Sequence, residues 1–160
     1  MEIRKATDGD LQTVDELVVG IYVAEEFVPV ERADHLRTAE KRAAVCDVFV
    51  ATNDDRSIIG TVTLVTSRTD FSQLALDAEA EVRLLCVSPS ARGSGAGEAL
   101  IRRCLERATL AGFSGMVLST QPTMKAAHRL YERLDFSRTP ERDWVQGNGG
   151  EMLVYARLLP

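Results

Sequence analysis

The chain reads as a mixed α/β (α+β) domain, one sheet interleaved with helices, and three observations carry that reading. Segments with strand alternation and segments with helical periodicity follow one another along the whole chain. A glycine-rich turn joins an apolar strand directly to the cleanest amphipathic helix. The 160 residues, 45% hydrophobic and 27% charged, have the size and composition of one soluble domain spanning residues 1–160.

The elements follow in order. Ile3 and its neighbours form a short first strand. Thr7 and Asp10 make a threonine-x-x-acid capping box, and Leu11, Val14, Leu17, Val18 and Ile21 then recur at helical spacing to about Glu26. Glu31 to Ala44 carries mixed charge over a thin stripe of Ala33, Leu36 and Ala44, a second helix expected near the surface. Asp47–Ala51 and Ile58–Val65 are β-branched runs joined by the polar turn Asn53-Asp54-Asp55-Arg56, an antiparallel hairpin.

A polar loop from Ser67 to Asp77 leads into a fourth strand, Glu81 to Val87, which Pro89 ends. The next helix buries Leu100, Ile101, Cys104, Leu105 and Ala108 and turns its arginines outward. Gly112 closes it, Met116–Ser119 is a fifth strand, and Pro122-Thr123 introduces a helix to about Leu134 with Ala127, Leu130, Tyr131 and Leu134 on one face. A Gly147–Gly150 turn precedes a last strand, Met152 to Leu158.

Composition excludes several function classes. The net charge is -5, which leaves no basic excess to hold a phosphate backbone, so no nucleic-acid partner is expected. An acidic balance weakly favours a cationic acceptor. The three cysteines are widely spaced and no Cys/His cluster has metal spacing, so no metal site is expected. The N-terminus lacks a signal-peptide core, and the longest apolar stretch, Leu17 to Ala24, falls far short of the roughly 18 residues of a membrane helix. No membrane partner and a cytoplasmic location are the expectations.

The informative segment is Arg92-Gly93-Ser94-Gly95-Ala96-Gly97. A helix starts with N–H groups that lack partners and with partial positive charge, and glycines let an anion approach that backbone closely. A strand, a glycine turn and a helix therefore make a phosphate site, to which Arg92 adds a full charge. A P-loop needs Lys followed by Ser or Thr after its last glycine, where Glu98-Ala99 stands here. A dinucleotide fingerprint needs a glycine at position 98.

Val87, the turn containing Pro89, and Arg92 to Gly97 resemble the (Gln/Arg)-x-x-Gly-x-(Gly/Ala) motif of the GNAT acyl-coenzyme A N-acyltransferases, and Ala127-His128-Arg129-Leu130-Tyr131 resembles that family's Ala-x-x-Leu-Tyr helix. The resemblance covers nearly the whole chain. It implies a mostly antiparallel twisted sheet splayed between its fourth and fifth strands, flanked by about four helices. It also implies acetyl-CoA as cosubstrate, with Leu85, Cys86 and Val87 pairing with the pantetheine arm and Gly93, Ser94, Gly95, Ala96, Gly97 and Glu98 wrapping the pyrophosphate. Two departures are Met124, where the family often has a cofactor-contacting asparagine, and Asp135-Phe136 in place of glycine-phenylalanine.

Acyl transfer to an amine needs a base, a stabilised oxyanion and a protonated leaving thiolate. By spacing alone Tyr131 is a core aromatic; the resemblance makes it the general acid. Glu81 is either the base or the solvated start of a strand, and alternation puts it on one face with Arg83, Leu85 and Val87. Cys86 points the other way and is rejected as a nucleophile. His128 reads as a surface histidine, and Trp144 as a core residue. The implied function is an N-acetyltransferase acting by direct attack on a small-molecule or peptide amine, with a homodimer left open. A non-catalytic acyl-CoA sensor and a nucleotide-binding module are the competing readings. The acceptor is expected between the second helix, the Ser67–Asp77 loop and the Glu141–Gly150 tail.

Overall fold

The computed structural model describes residues 1–160. Strands β1 (Glu2–Lys5), β2 (Asp47–Thr52), β3 (Ile58–Val65) and β4 (Glu79–Val87) pair antiparallel in that order. Strand β5 (Gly115–Thr120) joins β4 in parallel, and β8 (Glu151–Leu158) returns antiparallel along β5. Two short strands, β6 (Ser137–Arg138) and β7 (Trp144–Val145), both pair with β8. The single sheet runs β1-β2-β3-β4-β5-β8-β6, the mixed and mostly antiparallel sheet expected.

Four helices cover its two faces. Helices α1 (Leu11–Ala24) and α2 (Ala39–Val45) lie on one side, and α3 (Ala96–Leu110) and α4 (Lys125–Arg133) on the other. The larger core lies beneath α3 and α4, where Leu100, Ile101 and Cys104 meet Phe49, Val62, Leu64 and Val82. Under α1, Val14 packs on Val48 and Val50, and Val18 and Ile21 pack on Cys86. Each helix thus buries the stripe that its periodicity marks out.

The entry to α1 is held as its capping box requires. The Asp10 carboxylate accepts from the Thr7 backbone N–H (2.7 Å) and hydroxyl (2.8 Å), and Arg4 closes on it with a two-nitrogen fork. That fork holds Asp10 well below the usual carboxylate range. Asp135 takes φ +61 after α4, so the aspartate fills the left-handed position where the family pattern has glycine.

The expected second helix is corrected. Residues Val30–Leu36 form a 3-10 segment, the chain breaks at Arg37-Thr38, and only Ala39–Val45 is α-helical. This piece is not loosely attached, because Arg42 is fully buried. Its Nε donates to Thr38 Oγ1 (3.0 Å) and its Nη1 to Thr63 Oγ1 on β3 (2.5 Å). An arginine seated on the sheet looks polar in a periodicity count, which is why the stripe seemed thin.

Candidate active site

The functional features gather where β4 and β5 part. Parallel pairing runs from Glu79↔Gly115 to Val82↔Leu118 and goes no further. Beyond Arg83, β4 keeps β3 on one edge as far as Gly60↔Val87 and leaves its other edge unpaired with β5. An opened strand edge of this kind can pair with an amide-bearing ligand.

A bulge divides β4 in two. Thr61 opposes Cys86 while Thr63 opposes Arg83, so two residues, Leu84 and Leu85, face the single Val62. Leu84 has φ +52, a left-handed conformation costing a bulky residue on the order of 1–3 kcal/mol. The extra residue reverses the facing of the positions beyond it. Ala80, Val82, Leu85 and Val87 lie toward α3, whereas Leu84 and Cys86 lie toward α1. The expectation that Glu81, Arg83, Leu85 and Val87 share one face is therefore corrected: Leu85 and Val87 leave it at the bulge. Cys86 does point away from them, and burial pushes its thiol up to about 12, which leaves essentially no thiolate to act as a nucleophile.

The glycine turn has two different uses for glycine. Gly93 (φ +80) and Gly95 (φ +86) sit in open space and need glycine for their conformation. At Gly97 the limit is room: a Cβ there would lie 3.3 Å from Leu130 Cδ2 and 3.5 Å from Val87 Cγ2. The Ser94 N–H donates to the Ala91 carbonyl and the Ala96 N–H to Ser94 Oγ, while the N–H groups of Gly93, Gly95, Gly97 and Glu98 meet no acceptor within the chain. These free donors ring the start of a 15-residue helix, a concave anion site. Arg92 is not free, since it pairs with Glu25 at the end of α1. The Glu98 carboxylate turns to Arg102, so only its backbone faces the turn.

Tyr131 is buried among Phe136 and Tyr155, with ring centroids 6.0 and 5.9 Å away. Burial holds its phenol protonated well above the ordinary range, and the Cys86 thiol on β4 adds to that effect. Its position thus satisfies the core reading, and its hydroxyl makes no hydrogen bond within the chain while escaping full burial.

Glu81 is not a solvated strand start. It is 1% exposed, and its Oε2 accepts the backbone N–H groups of Gln73 (2.9 Å), Leu74 (3.2 Å) and Ala75 (3.3 Å). Its Oε1 is buried without a partner. The carboxylate therefore clamps the Ser67–Asp77 loop and keeps one oxygen uncommitted.

Between this loop and α1 opens a cleft of about 740 Å³. Its floor is Val82, Arg83 and Leu84 of β4 with Ser119 and Thr120 of β5, and its walls come from the 27–36 segment, Phe71 and Gln73, and the 144–148 hairpin. Phe71, Gln73 and 144–148 belong to two of the segments expected around an acceptor, whereas of the expected second helix only Glu31–Leu36 and Thr38 reach the cleft and the α-helical Ala39–Val45 does not. Trp144 is corrected from core residue to cleft wall: it is half-buried, and its indole N–H is buried without a partner. His128 is corrected from the surface to the interior. It is 8% exposed, its Nε2 lies 3.0 Å from the Gln121 carbonyl, and burial lowers its pKa. Sequence reasoning assigned no role to Arg83, although a lone charge inside the apolar run Glu81–Val87 was the available signal. No group of three or more His, Cys, Asp or Glu side chains is arranged to hold a metal ion, and no helix is long and apolar enough to cross a membrane.

Known proteins resemble this chain in sequence and in fold. The family model described as acetyltransferase (GNAT) family matches residues 13–136. The chain is 42% identical over 67 residues to an N-acetylaspartate synthetase from Danio rerio, which covers 42% of this chain and 24% of that protein. It is 36% identical over 81 residues to N-acetyltransferase family 8 member 3 from Mus musculus, covering 51% and 36%. The chain thus spans only about a quarter to a third of these curated relatives' lengths. Among solved structures, a GNAT-family acetyltransferase from Staphylococcus aureus Mu50 superposes with TM-score 0.77 at 18% identity, covering 99% of both chains. A phosphinothricin acetyltransferase from Sinorhizobium meliloti in complex with AcCoA superposes with TM-score 0.73 at 23% identity, covering 99% of this chain and 88% of that one. At these identities the structures share the fold.

Proposed function

The chain belongs to the acetyltransferase (GNAT) family, and from that premise we propose that it moves an acetyl group from acetyl-CoA to a primary amine by direct attack, with both substrates bound together. The observation that carries this reading is the pairing of two features: the free N–H groups of Gly93, Gly95, Gly97 and Glu98 at the start of α3, and the unpaired edge of β4 beside them. Together they suit a donor with a pyrophosphate at one end and an amide-bearing arm at the other. Bound there, acetyl-CoA supplies the thioester.

The residues divide the remaining work. The backbone of Leu85, Cys86 and Val87 hydrogen-bonds the arm, and a β4 N–H faces the charge that grows on the thioester oxygen. Arg92 exchanges Glu25 for phosphate or shares its charge between them. Tyr131 gives its proton to the departing sulfur. Burial raises the phenol, but it raises a thiolate in the same place too, as it does Cys86. The difference between them therefore stays near that of the two groups in water instead of widening with the rise of the phenol. Glu81 takes the amine proton through Oε1, relayed by a water because the carboxylate does not line the cleft.

The test is Tyr131→Phe. Its hydroxyl makes no hydrogen bond within the chain, so the fold should tolerate the change. Turnover with any amine that releases thiol from acetyl-CoA should fall by roughly 100-fold, with acetyl-CoA affinity unchanged by calorimetry. A protein that binds acetyl-CoA but releases no thiol whatever amine is offered would be a sensor, and the proposal would fail.

A further inference from the structure

Arg83 is the one strongly charged side chain in the floor of the cleft. Of the other partly buried arginines, Arg4 pairs with Asp10, Arg138 with Asp143 and Arg142 with Glu79, at 2.6 to 2.8 Å, while Arg157, which donates to the Leu134 carbonyl without an ion pair, lies outside the cleft. Arg83 forms no ion pair, and its only hydrogen bond runs from Nη1 to the Phe71 carbonyl (2.7 Å). A guanidinium has five donors, and a desolvated cation without a carboxylate is costly. Burial indeed depresses the Arg83 guanidinium, and the nearby Glu81 charge only partly offsets this.

A second cation stands behind it. Arg42 donates to Thr63, the cross-strand partner of Arg83, and the Arg83 charge disfavours that of Arg42. The fully buried Arg42 keeps one nitrogen, Nη2, without a hydrogen-bond partner, and Asp15 stands off at 3.8 Å. Glu81 favours the Arg83 charge and Asp15 that of Arg42, but neither carboxylate hydrogen-bonds its arginine, the Oε2 of Glu81 being taken by three backbone N–H groups. Glu31, Asp34, Arg32 and His35 around the rim are exposed and mixed in sign, so solvent screens them.

We infer that the acceptor is an amino acid whose carboxylate is held by the Arg83 fork while its amine is presented to the β4 bulge. Resting on the acetyltransferase reading above, this names the substrate class of the same cleft. Spacing agrees: Arg83 lies two residues before Leu85, and the bulge between them keeps that separation below the roughly 7 Å of two regular strand residues, a span that an arginine side chain and a short amino acid bridge together. It departs from the expectation drawn from net charge, because the protein is acidic overall while the charged side chain in its cleft floor is Arg83. Planar, two-point recognition of a carboxylate is what a guanidinium does and an ammonium does not.

The experiment compares the protein amino acids, each against its own carboxamide, as acceptors for thiol release from acetyl-CoA, and measures their binding to the coenzyme A complex by calorimetry. The intact chain should prefer the best acid over its amide by roughly 100-fold in kcat/KM, about 2.8 kcal/mol at 1.4 kcal/mol per tenfold. Arg83→Gln should collapse that ratio toward one through KM, and Arg83→Lys should restore part of it, with acetyl-CoA affinity unmoved in both. Amides used or bound as well as acids by the intact protein overturn the inference, even if Arg83→Gln fails to fold. So does an acid-over-amide ratio that survives Arg83→Gln. Those results leave the acetyltransferase reading standing, whereas failure to bind acetyl-CoA removes both.

Discussion

Glu81 carries two separable duties, and its substitutions should separate them. Oε2 accepts three N–H groups from Gln73, Leu74 and Ala75, of which the first, at 2.9 Å, is the strongest and the other two, at 3.2 and 3.3 Å, are weaker. Glu81→Gln keeps a carbonyl oxygen in place and loses charge assistance, about 1 kcal/mol, and it puts an NH2 where Oε1 has no partner, about 1 kcal/mol more. The expected loss is about 2 kcal/mol, against about 4 kcal/mol for Glu81→Ala, which strands all three amides. The direct assay is hydrogen exchange at Gln73, Leu74 and Ala75, which should quicken roughly 30-fold in Glu81→Gln. If Glu81 is also the base, kcat should drop by at least about 100-fold in this same variant. Unchanged exchange at those amides in Glu81→Ala would refute the clamp, and a kcat within a few-fold of the parent in Glu81→Gln would refute the base.

Gly95→Ala forces a Cβ onto φ +86 and should cost about 1 kcal/mol in urea unfolding while weakening acetyl-CoA binding; equal affinity would show that the turn's conformation is not what binds. Cys86→Ala should leave turnover within a few-fold and show no burst, at a cost of about 1–2 kcal/mol in stability for the lost packing. His128 is lowered by burial, so the unfolded chain takes up the proton first. Its share of stability is present above about pH 6.5 and fades as pH falls below that. His128→Gln should flatten this part of the stability curve, and an unaltered slope would place the titration elsewhere. Asp10, held down chiefly by Arg4, should contribute its stability above about pH 4 and lose it in stronger acid, a loss absent from Asp10→Ala, which itself costs about 1 kcal/mol at neutral pH.

Local periodicity made much of the fold legible in the sequence. The apolar stripe of α3, the β2–β3 hairpin and the glycine turn all announce themselves within a few residues, and each appears where it was expected. The misreadings share one cause, since each depended on a distant partner. Arg42 looks like surface charge until Thr63 of β3 is brought beneath it. His128 looks solvated until its ring meets the Gln121 carbonyl and Tyr155 packs against it at 5.7 Å. Alternation along β4 failed at Leu84, because a bulge is a property of two strands in register and has no signature in one. Resemblance alone singles out Tyr131; its aromatic surroundings from Phe136 and Tyr155 have no signature in the sequence.

The bulge in β4 has a further consequence for how this chain can change. A regular strand ties neighbouring positions to opposite walls in strict rotation, so altering one wall disturbs the other. Here the rotation is reset midway: Glu81 and Arg83 lie on the α1 side, where the proposed acceptor would sit, and Leu85 and Val87 lie on the α3 side. On the proposed reading, diversity introduced at 83 would change acceptor contacts while leaving the α3-facing positions undisturbed. Removing one residue at the bulge would couple the two again and swap the audiences of every side chain beyond it.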